Sequence, residues 1–258
     1  MTLSLLQLNI NADNYWDNLF PYLTSNDFDI IQLQEVCGKE TICGNLNCTH
    51  DCFDELTKLL SAKYNGEMIV TQRYTSSPTS YMGNATFYKK EFSLVDKYIL
   101  SLYKNITLFP QDAKNFEDVG RALLHLTLSR DGKIISFLNS HLGWAKTTKE
   151  QPHQTAQGEI LLPYLQKIAK PFVISGDFNL DPQQPIIQKI NTFSRNLISE
   201  NHVINTLNER THRARVLFPP GAAVDYIFTS PDITVKKFEV LEKEDLSDHL
   251  GLTTEIEL

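Results

Sequence analysis

The sequence predicts an α/β (α+β) fold, a four-layer sandwich in which two stacked mixed β-sheets are flanked by helices. Three observations carry this reading. Apolar strand-like runs recur from the first residues to the last. Some runs are joined by turns and others by helices, which calls for mixed rather than purely parallel sheets. No Pro/Gly/Ser-rich linker, low-complexity tract or fixed-period repeat divides the 258 residues. Residues 1–258 are therefore read as a single domain, and a hydrophobic content of 41% suffices for its core.

Residues 3–10 read as a strand, 15–23 as a helix and 30–34 as a short buried strand entered through Asp27 and Asp29. All four cysteines, Cys37, Cys43, Cys48 and Cys52, fall in a loop insertion at 37–52. Their spacings lack the paired C-x2-C knuckles of zinc sites. Reduced thiols are the reading taken, ahead of a structural Zn²⁺ with His50 nearby or two disulfides. Residues 54–63 place Leu56, Leu59 and Leu60 on one side of an amphipathic helix. Strands follow at 68–72, 85–88, 94–100, 122–128 and 134–140, with Asp131-Gly132 marking a hairpin between the last two. A helix at 154–169 leads into a strand at 172–175 that ends on Gly176-Asp177. A helix at 186–193 and strands at 225–229, 233–241 and 250–257 complete the chain.

The formal charge of -7 argues against a broad basic surface that neutralises the phosphates of duplex DNA. It leaves room for a local anion site built on a bound cation. No signal peptide, transmembrane helix or amphipathic basic helix is visible, so a cytoplasmic monomer without a membrane segment is expected.

Polar residues stand where apolar strands end. They are Asn9 after Leu8, Glu35 in Leu33-Gln34-Glu35-Val36, His141 in Ser140-His141-Leu142, Asp177 and Asn179 in Gly176-Asp177-Phe178-Asn179, Asp225 before Tyr226-Ile227, and Asp248 and His249 after Ser247. Sheets bring such side chains into one crevice although they lie far apart in sequence. Each alone has an ordinary explanation: a turn carboxylate, a hydrogen-bonded structural histidine, an Asx turn or an N-cap. Six such coincidences, in this order along one chain, are a poor account.

In that order the motifs resemble the endonuclease/exonuclease/phosphatase superfamily, which includes deoxyribonuclease I, abasic-site endonucleases, inositol polyphosphate 5-phosphatases, neutral sphingomyelinases and deadenylases. The resemblance runs from Leu5 to Leu252. It implies a phosphoester hydrolase dependent on Mg²⁺ or Mn²⁺, working by in-line attack of an activated water. By that resemblance Glu35 is the principal carboxylate ligand of the metal, with Asn9 on its water shell or on the phosphate and Asp248 a further metal-side carboxylate. Asp177 orients and deprotonates the water, and Asn179 donates hydrogen bonds. His249, held by Asp225, stabilises the pentacovalent phosphorus, and His141 is a second phosphate-facing histidine. Arg121 sits where several family members carry a basic residue. Asn84 is a weaker substrate-side candidate.

Substrate choice falls to the loops. Trp144, with Lys146 and Lys149 close by, offers a face on which a base or sugar can stack, and Arg210, His212, Arg213 and Arg215 form a basic loop before Asp225. The expected substrate is a phosphodiester of nucleic acid or nucleotide, ahead of a sugar phosphate, inositol phosphate or phospholipid headgroup. A non-catalytic binding module is disfavoured by the complete set of motif residues.

Overall fold

In the computed structural model, strand β1 (Thr2–Asn9) has two chemically distinct faces. Leu6 and Leu8 point outward into a cluster with Leu19, Leu23, Leu56 and Leu60. Leu3 and Leu5 join the larger cluster that includes the space between the sheets. Further along that inner face Gln7 and Asn9 make hydrogen bonds to Gln34, Glu35, Asp177 and Asp225. The inner layer thus turns from apolar to polar toward the C-terminal end of β1, and that end holds the site.

The structure describes residues 1–43, 46–74, 77, 79–103, 107–109, 116–212 and 221–258. After β1 come α1 (Trp16–Ser25), β2 (Ile30–Cys37), the short strands β3 (Ile42–Cys43) and β4 (Leu46–Asn47), and α2 (Cys52–Leu60). Strands β5 (Tyr64–Tyr74), β6 (Tyr81–Lys89), β7 (Ser93–Tyr103), β8 (Thr107–Phe109), β9 (Arg121–Arg130) and β10 (Lys133–His141) follow. The chain continues through α3 (Pro152–Leu165), β11 (Phe172–Asp177), α4 (Pro185–Asn191), β12 (Arg195–Asn196) and α5 (Leu197–Glu200). It closes with β13 (Asp225–Thr229), β14 (Thr234–Val240) and β15 (Leu252–Glu257).

The predicted architecture holds. One sheet runs β14-β15-β1-β2-β6-β5-β8 and the other β12-β13-β11-β10-β9-β7. Each contains a parallel pair among antiparallel neighbours, β1 with β2 and β10 with β11, and β5 with β8 is a further parallel pair at the edge of the first sheet. β1 and β2, and likewise β10 and β11, are linked by a crossover that includes a helix, α1 in one sheet and α3 in the other. Their strand ends deliver Asn9 and Glu35 from the first sheet and His141 and Asp177 from the second. Leucines and isoleucines of α3 and α4 pack into the core of the second sheet, as those of α1 and α2 do on the first.

Several boundaries differ from expectation for local reasons. Helix α2 starts at Cys52 because the Asp51 carboxylate caps it, accepting from the Asp54 amide at 3.0 Å. Helix α3 starts at Pro152, whose missing N–H costs nothing in a first turn, and Gln154 closes a capping box onto the Gln151 amide. It ends at Leu165, short of the expected 169. Strand β5 has 11 residues because it pairs along all of β6 and, at its C-terminal end, with β8. The hairpin β3-β4 and the short elements β8, β12 and α5 carry no periodic pattern from which to predict them. No helix among the described residues is long and apolar enough to cross a membrane.

Candidate active site

Glu35 reaches the cleft because β2 is irregular. Its neighbour Gln34 already faces inward, donating to the Asn139 side chain at 2.8 Å, so strict alternation would turn Glu35 the other way. The register between β2 and β6 shifts between Leu33 and Val36, and Glu35 adopts φ +56°. This bulge re-aims the carboxylate, which accepts from Asn9 Nδ2 at 3.2 Å. A second special backbone position serves Asp177. Gly176 has φ +146°, and a Cβ there would overlap the Ser140 carbonyl oxygen. Glycine is what lets β10 and β11 approach closely enough to place His141 beside Asp177.

Asp177 Oδ2 is the hub. Asn9 Nδ2 donates to it at 3.0 Å, His141 Nε2 lies 3.6 Å away and His249 Nε2 3.9 Å away. Its other oxygen accepts from the Asn179 amide at 2.9 Å, and Asn179, at φ +54°, anchors its own side chain on the Leu142 carbonyl. Behind this hub His249 Nδ1 meets Asp225 Oδ2 at 2.8 Å. Asp225 also accepts from Thr206 Oγ1 at 2.8 Å and from Gln7 Nε2 at 3.2 Å, so both its oxygens are engaged.

Burial and charge set the protonation states. Burial, followed by the neighbouring Asp225, pushes the Asp177 carboxyl up to about 7, against the pull of His249 and Asn9. Burial opposes charge on His249, yet Asp225, with Asp177 and Asp248 beyond it, holds the imidazolium well above the usual histidine range. Burial, then the positive Arg121 and His249, drive His141 well below that range, so it is neutral. A base near neutrality therefore faces one charged and one neutral imidazole. In the metal-free protein the Asp177 carboxyl is expected to titrate near 7, read from carbon-labelled carboxylate NMR and abolished by Asp177→Asn. A base works only when deprotonated, so kcat/KM should fall as pH drops through that range. Mg²⁺ should lower the midpoint of that titration, and with it the acid limb of the Mg²⁺-supported rate, because a nearby cation favours the carboxylate. A titration near 7 that survives Asp177→Asn, or that Mg²⁺ leaves in place, would contradict the assignment.

Glu35, Asp177, Asn179, Asp248 and His249 line a cleft of about 180 Å³, together with Trp144 and His212. Asn9, His141 and Asp225 stand directly behind these residues. Asn9 turns its oxygen to the Asn11 amide at 3.0 Å and its amide nitrogen to Glu35 and Asp177, so it orients two carboxylates. Arg121 is buried, with its charge felt by both Glu35 and His141. Asn84, opposite the Glu35 bulge on β6, donates to the Ala122 carbonyl at 3.2 Å and ties β6 to β9; it is not part of the cleft lining. The Trp144 loop is fixed on α3, where Gly143 N donates to Gln157 and Gln154 donates to the Gly143 carbonyl.

The basic loop fares differently. Arg210 is turned onto Asp245 at 2.6 Å, and Arg213 and Arg215 lie outside the described residues. His212 instead sits in the cleft, 3.7 Å from Asp248 and edge-on to the His249 ring. In the sequence it stands as one member of a charge cluster. Gln7, Gln34, Asn139 and Thr206, none of them among the candidate site residues that the sequence marks, brace the site from behind. A signal for some of these exists: Gln7 with Asn9, and Gln32 with Gln34, are polar at alternate positions of otherwise apolar strands.

The donor set suits a hard divalent cation. Ligand atoms of Asp177, Asp225 and His249 lie within 4.8 Å of one another. Asp225 is already engaged, whereas Glu35 and Asp248 face the cleft. Burial first and the Asp248 charge second raise the Glu35 carboxyl, a repulsion that a cation between them would relieve. The described thiols Cys37, Cys48 and Cys52 are unbridged, and the Cys43 side chain lies outside the described residues.

Residues 6–249 match the model of the Endonuclease/Exonuclease/phosphatase family. The chain belongs to the endonuclease/exonuclease/phosphatase family. Solved structures share its fold at low identity. An endonuclease/exonuclease/phosphatase from Bacteroides vulgatus is 20% identical, with TM-score 0.73 over 100% of this chain and 99% of that one. A mannosyl-6-phosphatase from Bacteroides thetaiotaomicron is 17% identical, with TM-score 0.71 over 99% and 100%. TDP2 of D. rerio, complexed with a single-strand DNA product, is 17% identical, with TM-score 0.68 over 100% and 99%. No curated protein sequence matches the chain. Family membership and the buried acidic and histidine cluster make this chain a metal-dependent phosphohydrolase of the endonuclease/exonuclease/phosphatase type.

Proposed function

We propose that the chain hydrolyses a phosphodiester of single-stranded nucleic acid or of a nucleotide. The reaction rests on one observation, the convergence of Asn9, His141 and His249 on a single oxygen of Asp177. Asp177 Oδ2 takes the proton of the attacking water, and Asn179 at the same turn orients that water or a phosphoryl oxygen. His249 remains protonated through Asp225 and donates from Nε2 to the oxygen on which charge develops. Neutral His141 contributes a hydrogen bond without adding charge beside Arg121. A divalent cation held by Glu35 and Asp248 would neutralise the non-bridging oxygens and assist the leaving oxygen.

The cleft of about 180 Å³ is small enough that a phosphoryl group fills much of it, so the rest of a substrate lies across its mouth. Trp144 lines that cleft and supplies a flat apolar face of the kind on which unpaired bases stack. The overall charge of -7 disfavours a duplex, whose hold depends on many phosphate contacts. A sugar phosphate is the second reading. The same indole suits a sugar face, and the mannosyl-6-phosphatase shares the fold.

The test is turnover of bis-p-nitrophenyl phosphate, single-stranded and duplex DNA, RNA and sugar phosphates, each with Mg²⁺, Mn²⁺ or EDTA. Mg²⁺-dependent cleavage of the diester and single-stranded substrates, abolished by EDTA, is the expected result. Turnover that survives EDTA overturns the mechanism. Fastest release from a sugar phosphate overturns the substrate.

A further inference from the structure

The thiols of Cys48 and Cys52 both approach that of Cys37, at a place that the hydrolytic chemistry does not use. Cys37 is the last residue of β2, Cys48 follows β4, and Cys52 opens α2. All three are buried, at 0%, 2% and 0% exposure. Cys37 Sγ lies 3.5 Å from Cys52 Sγ. Sulfur of Cys48, sulfur of Cys37 and a carboxylate oxygen of Asp13 lie within 4.8 Å of one another. Asp13, Cys48 and Cys52 therefore each bring a potential donor close to Cys37.

We propose that Cys37, Cys48 and Cys52 bind a structural thiophilic divalent cation, Zn²⁺, with the Asp13 carboxylate as fourth donor. The spacing is the first reason. Sulfurs about 2.3 Å from a tetrahedral zinc stand roughly 3.7 Å apart, close to the separation seen between Cys37 and Cys52. The second reason is number, since a disulfide among the three described thiols leaves one of them unmatched. The third is what the insertion lacks. Between β2 and α2 the chain forms a hairpin that, among the described residues, pairs Ile42 with Asn47 and Cys43 with Leu46 and is extended by the backbone hydrogen bonds of Cys48 with Glu40 and Thr41, too short to hold itself in water. Cys48 is the described residue that carries this hairpin into the buried cluster around β2. A cation joining Cys48 to β2 and α2 supplies a clamp where apolar area is scarce.

Asp13 is prepared for the part. Its Oδ2 accepts from the Thr49 amide at 2.6 Å and the His50 amide at 3.0 Å, which offsets the charge gathered there. Each thiol gives its proton to solvent as its sulfur takes the metal, so binding weakens as pH falls. The cation is distinct in kind from the one at Glu35, which meets oxygen donors and stays exchangeable with Mg²⁺. The proposal stands whatever the substrate of the catalytic cleft.

The experiment uses the full chain, purified under reducing conditions. Elemental analysis after exhaustive dialysis should give about one zinc per chain, and Cys48→Ser or Cys52→Ser should lose most of it. Replacement by Co²⁺ in the wild type should produce thiolate-to-cobalt absorption in the near ultraviolet, a readout independent of how the variants fold. Stripping zinc with a strong chelator should lower Tm by several degrees, restored by Zn²⁺ but not by Mg²⁺. Reduced wild-type protein that takes up no zinc and shows no cobalt–thiolate band overturns the proposal. So does native protein lighter by the two hydrogens of a Cys37–Cys52 disulfide.

Discussion

His249→Ala is expected to lower kcat by about 10²- to 10³-fold, the usual cost of removing one preorganised stabiliser of developing charge. KM should change little, because the imidazolium acts on charge that appears in the transition state. The fold should survive. Asp225 keeps hydrogen bonds from Thr206 and Gln7 after the ring is gone, so its buried carboxylate is not stranded. Asp225→Asn should cost a comparable factor by a different route, since an amide at 2.8 Å no longer favours the protonated ring. If Asp225 acts through His249, the double variant should be no slower than His249→Ala alone. Multiplying losses in that cycle would place Asp225 in direct contact with the reacting groups and break the pairing argued here.

What could be read in the sequence was chemistry at strand ends. Asn9, Glu35, His141, Asp177 and Asp225 each end or begin a buried strand, or stand at its irregular end, and regular strand geometry fixes where such side chains go. Strand pairing then brings them together, as His141 opposite Asp177 and Asp177 opposite Asp225 in neighbouring ladders show. His212 was opaque because it lies in a loop without periodicity, and its place against Asp248 is set by tertiary packing. Arg210 looked equivalent in sequence and ends on Asp245 instead. Asn84 differs again: it lies on the inner face of β6 opposite the Glu35 bulge, with its side chain turned to the Ala122 carbonyl of the facing sheet rather than to the cleft. The bulge at Glu35 was invisible too: alternation alone assigns Gln34 and Glu35 to opposite faces, and the observed register shift is what reconciles them.

That bulge makes Glu35 the site of a second large effect. A glutamate at φ +56° is in a conformation that L-residues enter at a cost, and such strain persists where function holds it. In the metal-free protein its carboxylate also faces Asp248 across the cleft. Both penalties should show on mutation. Glu35→Ala and Glu35→Gly are each expected to lose at least about 10²-fold in Mg²⁺-supported turnover, because the oxygen donor is gone. Their Mg²⁺ affinity, measured by calorimetry without substrate, should fall in parallel. Stability separates the two. Glycine accepts the left-handed conformation without a Cβ clash, so Glu35→Gly should be more stable than Glu35→Ala by about 1 kcal/mol in urea titrations. Without Mg²⁺, both variants should match or exceed the parent, since each removes one of two repelling carboxylates. An alanine variant as stable as the glycine one would mean that Glu35 bears no strain. A glycine variant that keeps its turnover would mean that the cation is held elsewhere, at Asp177 and Asp248 without help from β2.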